Sequence, residues 1–248
     1  MDNRKTRKIF IEISLIGVFL VLGILFLNVV SAATPVGFSN VDVVSNTTKA
    51  APGATMVNIS GGYLAKLNVT ANLQNLKWKA FVGWVTGKFS LDDSGGSTIY
   101  DWTFTVANGR IYATRASSAI SWDDIACADT DALETENTAM DQSNPNDNIT
   151  ATFDDVAHEA FSVAGVSFAQ DACNYTVNTY VENVTQSGTD FFEEVALTDT
   201  TNIVYATILE SGETGYDGSD YDFQMLVPEN GDPGFDGATA YYMYIEIN

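Results

Sequence analysis

Histidine is nearly missing from this chain: His158 is the only one in 248 residues. A serine or cysteine nucleophile activated by imidazole would have to use it, and no G-x-S-x-G elbow is present. The stretch "HEAFS" opens like a zinc-protease helix, but position 162 is Ser where the second histidine belongs. His158 therefore reads as an ordinary surface or strand-end histidine. Cysteine is almost as scarce, with Cys127 and Cys173 alone, too few alongside one histidine for a zinc site. Basic residues stop at Arg115, and residues 116–248 hold 26 Asp plus Glu with no Lys or Arg. Nothing basic is left in that half to neutralise phosphates, which excludes a nucleic-acid partner. Heptads and long helical periodicity are also lacking, which argues against coiled coils and helical bundles.

What is present begins with an export segment. Arg4, Lys5, Arg7 and Lys8 precede an apolar run from Ile9 to Val30, broken only by Glu12, Ser14 and Asn28. Val30-Ser31-Ala32 then offers small residues for cleavage after Ala32. The run is also long enough to span a bilayer as a helix. Residues 1–33 are thus a signal peptide or a retained N-terminal membrane anchor, and either places residues 34–248 outside the cell. Glu12 also resembles the glutamate of a type IV pilin stem, although the small residue usual before a prepilin cut is missing. An oxidising compartment predicts a Cys127–Cys173 disulfide. Closing a loop of about 46 residues would contribute about 4 kcal/mol. Six N-x-[ST] sequons, at Asn46, Asn58, Asn68, Asn148, Asn174 and Asn183, are candidate glycosylation sites.

The body alternates like β-structure. In "YLAKLNVTANL", Leu67, Val69, Ala71 and Leu73 share one face and Lys66, Asn68, Thr70 and Asn72 the other, which turns Asn68 to solvent. In "NYTVNTY", Tyr175 and Val177 oppose Asn174, Thr176 and Asn178. In "KWKAFVGWVTGKFSL", Trp78, Ala80, Val82 and Trp84 fall on one face and are assigned to the core. Tyr100, Trp102, Phe104 and Val106 lead to Asn108-Gly109, which predicts a hairpin into Ile111–Thr114. Further strands are expected at 161–168, 173–184, 191–197, 202–209, 221–227 and 239–247. Residues 129–142 read as a loop with at most a short helix. The fold expected is all-β, an antiparallel β-sandwich of jelly-roll or Ig-like type, preceded by one N-terminal hydrophobic helix.

The phrases "GKFSLDD", "TIYDWTF", "NGRIYATR", "AFSVAGVSF", "NIVYATILE", "GYDGSDYDFQMLVPENG" and "YYMYIEI" resemble a group of uncharacterised exported cell-surface proteins of archaea. The resemblance covers about residues 60–248. It implies cell-surface placement and archaeal N-glycosylation, and it brings no activity or site residue with it.

Candidate chemistry is thin. Asp92-Asp93, Asp123-Asp124, Asp154-Asp155 and Glu193-Glu194 are paired in sequence, but neighbours on a strand point apart and do not face one sugar bond. Asp217, Asp220 and Asp222, in the Gly-rich "GYDGSDYDF", are hard oxygen ligands in a turn and form a candidate Ca²⁺ site; no other cofactor is expected. Trp122, flanked by polar residues, is the candidate exposed ring. The segment 34–115 holds seven basic and four acidic residues, so a net basic region adjoins a strongly acidic one. That asymmetry suits heterologous self-assembly, and the terminal strand "ATAYYMYIEIN" could pair with a neighbour. The function expected is a non-catalytic cell-surface structural or assembly protein: a surface-layer, filament or matrix component. An adhesin or glycan-binding module is the alternative, and a pilin-like subunit or secreted hydrolase is less favoured.

Overall fold

The structure, a computed structural model, describes residues 34–105, 108–186 and 191–247. The apolar segment 1–33, with its expected helix and the cleavage position Ala32, lies outside the described residues. No helix among the described residues is long and apolar enough to cross a membrane.

The strands are β1 (Val36–Gly37), β2 (Trp78–Gly83), β3 (Thr86–Asp92), β4 (Thr98–Thr105), β5 (Gly109–Thr114), β6 (Ala126–Cys127), β7 (Phe161–Val163), β8 (Val166–Phe168), β9 (Thr176–Asn178), β10 (Glu193–Thr198), β11 (Ile203–Ile208), β12 (Glu213–Thr214), β13 (Asp220–Tyr221), β14 (Phe223–Pro228) and β15 (Tyr242–Ile247). Helices α1 (Thr130–Ala139) and α2 (Ile149–Thr152) lie between β6 and β7. Every pairing is antiparallel. One sheet runs in the order β1-β15-β5-β11-β10-β6, with β9 also on β10. The pairs β2–β14, β3–β4, β7–β8 and β12–β13 are separate ribbons.

The three central strands explain the core. β5 and β11 are buried at every residue, and β10 at all but its last. Successive side chains point to opposite faces, and here both faces are covered. On one, Ile111, Ala113, Ala196 and Tyr205 meet Leu133 and Met140 near α1, Ile149 and Phe153 around α2, and Met225 and Val227 of β14. On the other, Tyr112, Val195, Leu197, Val204 and Ala206 meet Phe161, Val163 and Phe168 of the β7–β8 ribbon, with Ile120, Trp122 and Ile125. Each large apolar side chain so enclosed contributes about 1.5–3 kcal/mol.

Several expectations are corrected. The strand predicted over 161–168 is a hairpin, turned at Ala164-Gly165 with φ of 49° and 89°. Asn108-Gly109 does not close a hairpin from β4 into β5. Strand β4 pairs with β3, and β5 pairs with β11 and β15. Gly109 serves a close approach instead, because a Cβ there would lie 2.3 Å from the Glu246 carbonyl oxygen. The β3–β4 turn is made by Asp93, whose Oδ1 accepts from the N–H groups of Gly95 and Ser97, with Gly96 at φ 81°.

Strand β2 presents the opposite parity from that expected. Phe81 packs on the core and Gly83 is buried, while Ala80, Val82 and Trp84 are exposed; Trp78 alone keeps a place against Phe153. Trp122 is buried between the rings of Tyr112 and Tyr244, at 5.1 and 5.3 Å. The region 129–142 contains a ten-residue helix. Its sequence, "TDALETENTA", has one large apolar residue, so it carries no amphipathic signal. Asp129 caps it by accepting from Ala132 N–H. Residues 173–184 hold only the three-residue β9, and the strand expected over "YLAKLNVTANL" is not formed.

Candidate functional site

The cysteines lie where export predicts. Cys127 on β6 and Cys173 before β9 are joined as a disulfide. His158 stands beside that bond and is fully buried, which corrects its reading as a surface residue. Its Nε2 accepts from Cys173 N–H at 2.9 Å. A backbone N–H can only donate, so Nε2 carries no proton, and Nδ1–H donates to the Glu159 carbonyl at 2.7 Å. Both ring nitrogens are thus engaged by backbone, and the imidazole is a strut between the 158–159 and 171–173 segments.

The sequence-paired carboxylates behave as strand geometry requires. Glu193 and Glu194 are both buried and point to opposite layers. Glu193 accepts from Glu159 N–H at 2.7 Å, and Glu194 from Leu226 N–H at 2.7 Å. Each ties a covering segment to the central sheet. Burial raises Glu194 well above the ordinary carboxyl range, since one backbone N–H offsets little of the lost hydration. Its second oxygen and the Tyr205 hydroxyl are buried without a hydrogen-bond partner. Glu210 is pushed up to about 7 by burial and by the charges of Glu159 and Glu193.

The acidic turn is self-satisfied. Asp217 accepts from Ser219 N–H and the Tyr221 hydroxyl, and those bonds, led by the backbone one from Ser219, lower its carboxyl. Asp220 accepts from the Thr214 hydroxyl. Asp222 accepts from Val85 and Gly212 N–H groups, fastening this turn to the end of β2. Asp217 and Asp222 cap backbone, Asp220 holds a hydroxyl, and the three carboxylates are not grouped around one point. Among the described residues no three His, Cys, Asp or Glu side chains are grouped as one metal ion would need.

Cations of the segment 34–115 are largely used within the chain. Lys77 pairs with Asp147, Lys79 with Glu229, Lys88 with Asp101, and Arg115 with Glu136 through two hydrogen bonds. Burial works against charge on Glu229, but the Lys79 ammonium and bonds from Thr239 and Asn230 outweigh it and bring the carboxyl down to about 2. Arg110 is buried against Ser162. Among the described residues, Lys49 and Lys66 make no ion pair.

Those two lysines belong to the least expected feature. Between β1 and β2 the chain runs through residues 38–77 without a helix or strand, and almost all of it is exposed. A structureless connection of this length is uncommon and is usually functional or a linker. This arm exposes Val43, Val44, Met56, Tyr63, Leu64, Leu67, Val69 and Leu73, with Leu64 at 90% and Val69 at 81%.

The β3–β4 ribbon is a second uncovered surface. Its register places Phe89 opposite Trp102 and Leu91 opposite Tyr100, so these four share one face. They are 61%, 51%, 57% and 61% exposed. The other face is polar, with Lys88 opposite Thr103, Ser90 opposite Asp101, and a Lys88–Asp101 ion pair at 3.1 Å. A two-stranded ribbon has little stability of its own, and here its apolar face is turned to solvent. Periodicity could have revealed this face in "GKFSLDD" and "TIYDWTF", had the two been paired with each other.

The sequons at Asn46, Asn58 and Asn68 lie on the arm, and Asn174 and Asn183 are exposed on the body. Asn148 is half-buried as the N-cap of α2, accepting from Ala151 N–H. The chain matches no protein-family model, no curated protein and no solved structure.

Proposed function

We propose that this chain is an exported, non-catalytic structural protein of the cell surface, which assembles with other subunits into a layer, filament or matrix. The observation that carries the reading is the apolar arm and ribbon that the fold leaves in water. Apolar side chains gathered on one exposed face, as on the ribbon, mark an interaction site. The basic and apolar N-terminal segment, the disulfide and the exposed sequons support an extracellular, glycosylated setting like that of the archaeal surface proteins it resembles. The sheet and the β2–β14 ribbon facing each other across the Ile111–Met225 core support a sandwich of jelly-roll or Ig-like type.

A second reading has one observation in its favour. Tyr100 and Trp102 present exposed rings 5.0 Å apart, a platform of the kind that stacks on sugars in an adhesin or glycan-binding module.

Light scattering behind size exclusion, at low and high salt, separates the two. Assembly predicts a polymer that grows as salt screens the acidic bodies from one another. A monomer at every salt concentration that binds glycans on an array would overturn assembly in favour of the adhesin.

A further inference from the structure

We infer that the partner is a second copy of this chain, and that the arm segment Tyr63–Leu73 of one copy docks as a strand on the apolar face and edge of the β3–β4 ribbon of the next. The inference rests on the assembly reading above and names its contact.

Three observations converge on it. The first is complementary pattern. Once extended, residues 66–73 put Leu67, Val69, Ala71 and Leu73 on one side and Lys66, Asn68, Thr70 and Asn72 on the other. This is an amphipathic strand with no sheet. The ribbon is a two-stranded sheet whose apolar face, with Leu91, Tyr100 and Trp102, is exposed and which pairs with no third strand among the described residues. Eight arm residues match the eight of β4 in length. Strand addition would satisfy the outward N–H and C=O groups of both partners.

The second is charge. The arm carries Lys49 and Lys66 against Asp42, and the ribbon carries Lys88 against Asp92, Asp93 and Asp101. Arm and ribbon therefore have opposite net signs. Two acidic bodies repel, so contact through residues 116–248 is disfavoured. The polar side of the arm strand, with its sequon at Asn68, does not suit insertion into a lipid surface.

The third is reach and stoichiometry. The arm is held at one end by β1 on β15 and at the other by Asn75 and Lys77 on Asp147. A loop of that length can project about 60 Å out and back at 3.3 Å per residue. Every copy has one arm and one ribbon, so arm-to-ribbon contact is heterologous and propagates head-to-tail.

The test uses three single-cysteine variants of the full chain, with Cys127 and Cys173 kept in their disulfide. Chains carrying Val69→Cys are mixed with chains carrying Leu91→Cys and treated with a short bis-maleimide, with polymer measured in parallel by light scattering. The expected product is a cross-linked dimer. Ser90→Cys, on the polar face of the ribbon, should yield at least about tenfold less of it. Trp102→Asp, at an exposed position that the body does not need, should weaken polymer formation about tenfold or more. Polymer with no Val69–Leu91 cross-link overturns the arm–ribbon contact and leaves assembly standing. A cross-link found only within a Val69→Cys/Leu91→Cys double variant, never between mixed chains, assigns the arm to its own ribbon and also overturns the inference. No polymer under any condition removes both it and the reading on which it rests.

Discussion

Replacing Glu194 by Gln should stabilise the protein, and the gain should grow with pH. The unfolded chain loses the Glu194 proton near the ordinary value of 4.5, whereas burial keeps the proton on in the folded chain to well above that. Between the two values the folded state binds one proton more than the unfolded state, so stability falls as pH rises, by about 1.4 kcal/mol per unit. Below 4.5 both states are protonated and the effect is absent. Glutamine is neutral throughout and its carbonyl can still accept from Leu226 N–H, so the Glu194→Gln variant lacks the slope. The variant's lead should therefore grow with each pH unit above 4.5 over which the folded chain keeps the proton. For a body of this size about 1 kcal/mol corresponds to 2–4 °C, so the melting-temperature gap should widen by about 3–5 °C per pH unit. Calorimetric melts of both proteins at pH 4, 5, 6 and 6.5 measure it. Comparing the two at each pH cancels the mutual repulsion of the other carboxylates and the separate titration of Glu210. Parallel curves, or a variant less stable at pH 6.5 than at pH 4 relative to the parent, would refute the argument that a neutral acid is locked beneath β14.

Two further outcomes follow from buried groups. Removing the disulfide by Cys127→Ala/Cys173→Ala should lower stability by about 4 kcal/mol, from the entropy released in a loop of about 46 residues, and denaturant melts of the variant should match those of the reduced parent. Tyr205→Phe deletes a buried hydroxyl that has no partner, so it should be neutral or stabilising by about 1 kcal/mol, read as an unchanged or higher melting temperature.

Much of the sheet was legible in the amino-acid pattern, and the reasons for the rest are local. "NIVYATILE" and "FFEEVALT" announce strands through β-branched and aromatic residues. Because β10 and β11 are covered on both faces, period-two alternation vanishes there, and nothing in the pattern shows that Glu193 and Glu194 are both buried. Pattern also names the faces of a strand without saying which is inward. On β2 the choice hung on Trp78, and Phe81 took the core instead. Asn-Gly is a strong local turn signal, but β5 was claimed by β11 and β15, which lie far off in sequence. Trp122 has polar neighbours in the chain and aromatic ones in space. The disulfide was predictable from count and compartment. The uncovered arm was not, since its alternation is that of any half-buried strand and only the fold shows that it has no sheet.

The arm also decides how this protein meets a protease. Enzymes that cut after lysine or arginine find no site in the whole stretch 116–248, and four of the body's cations are held in ion pairs. Lys49 and Lys66 sit in exposed chain outside any helix or strand, where a protease cleft can reach the backbone. Such an enzyme would trim the arm and leave the sheet behind, with the stub bearing β1 held mainly by a two-residue pairing to β15. Were the arm enclosed by a neighbouring subunit it would escape cutting, and resistance to digestion would then belong to the assembly and not to the single chain.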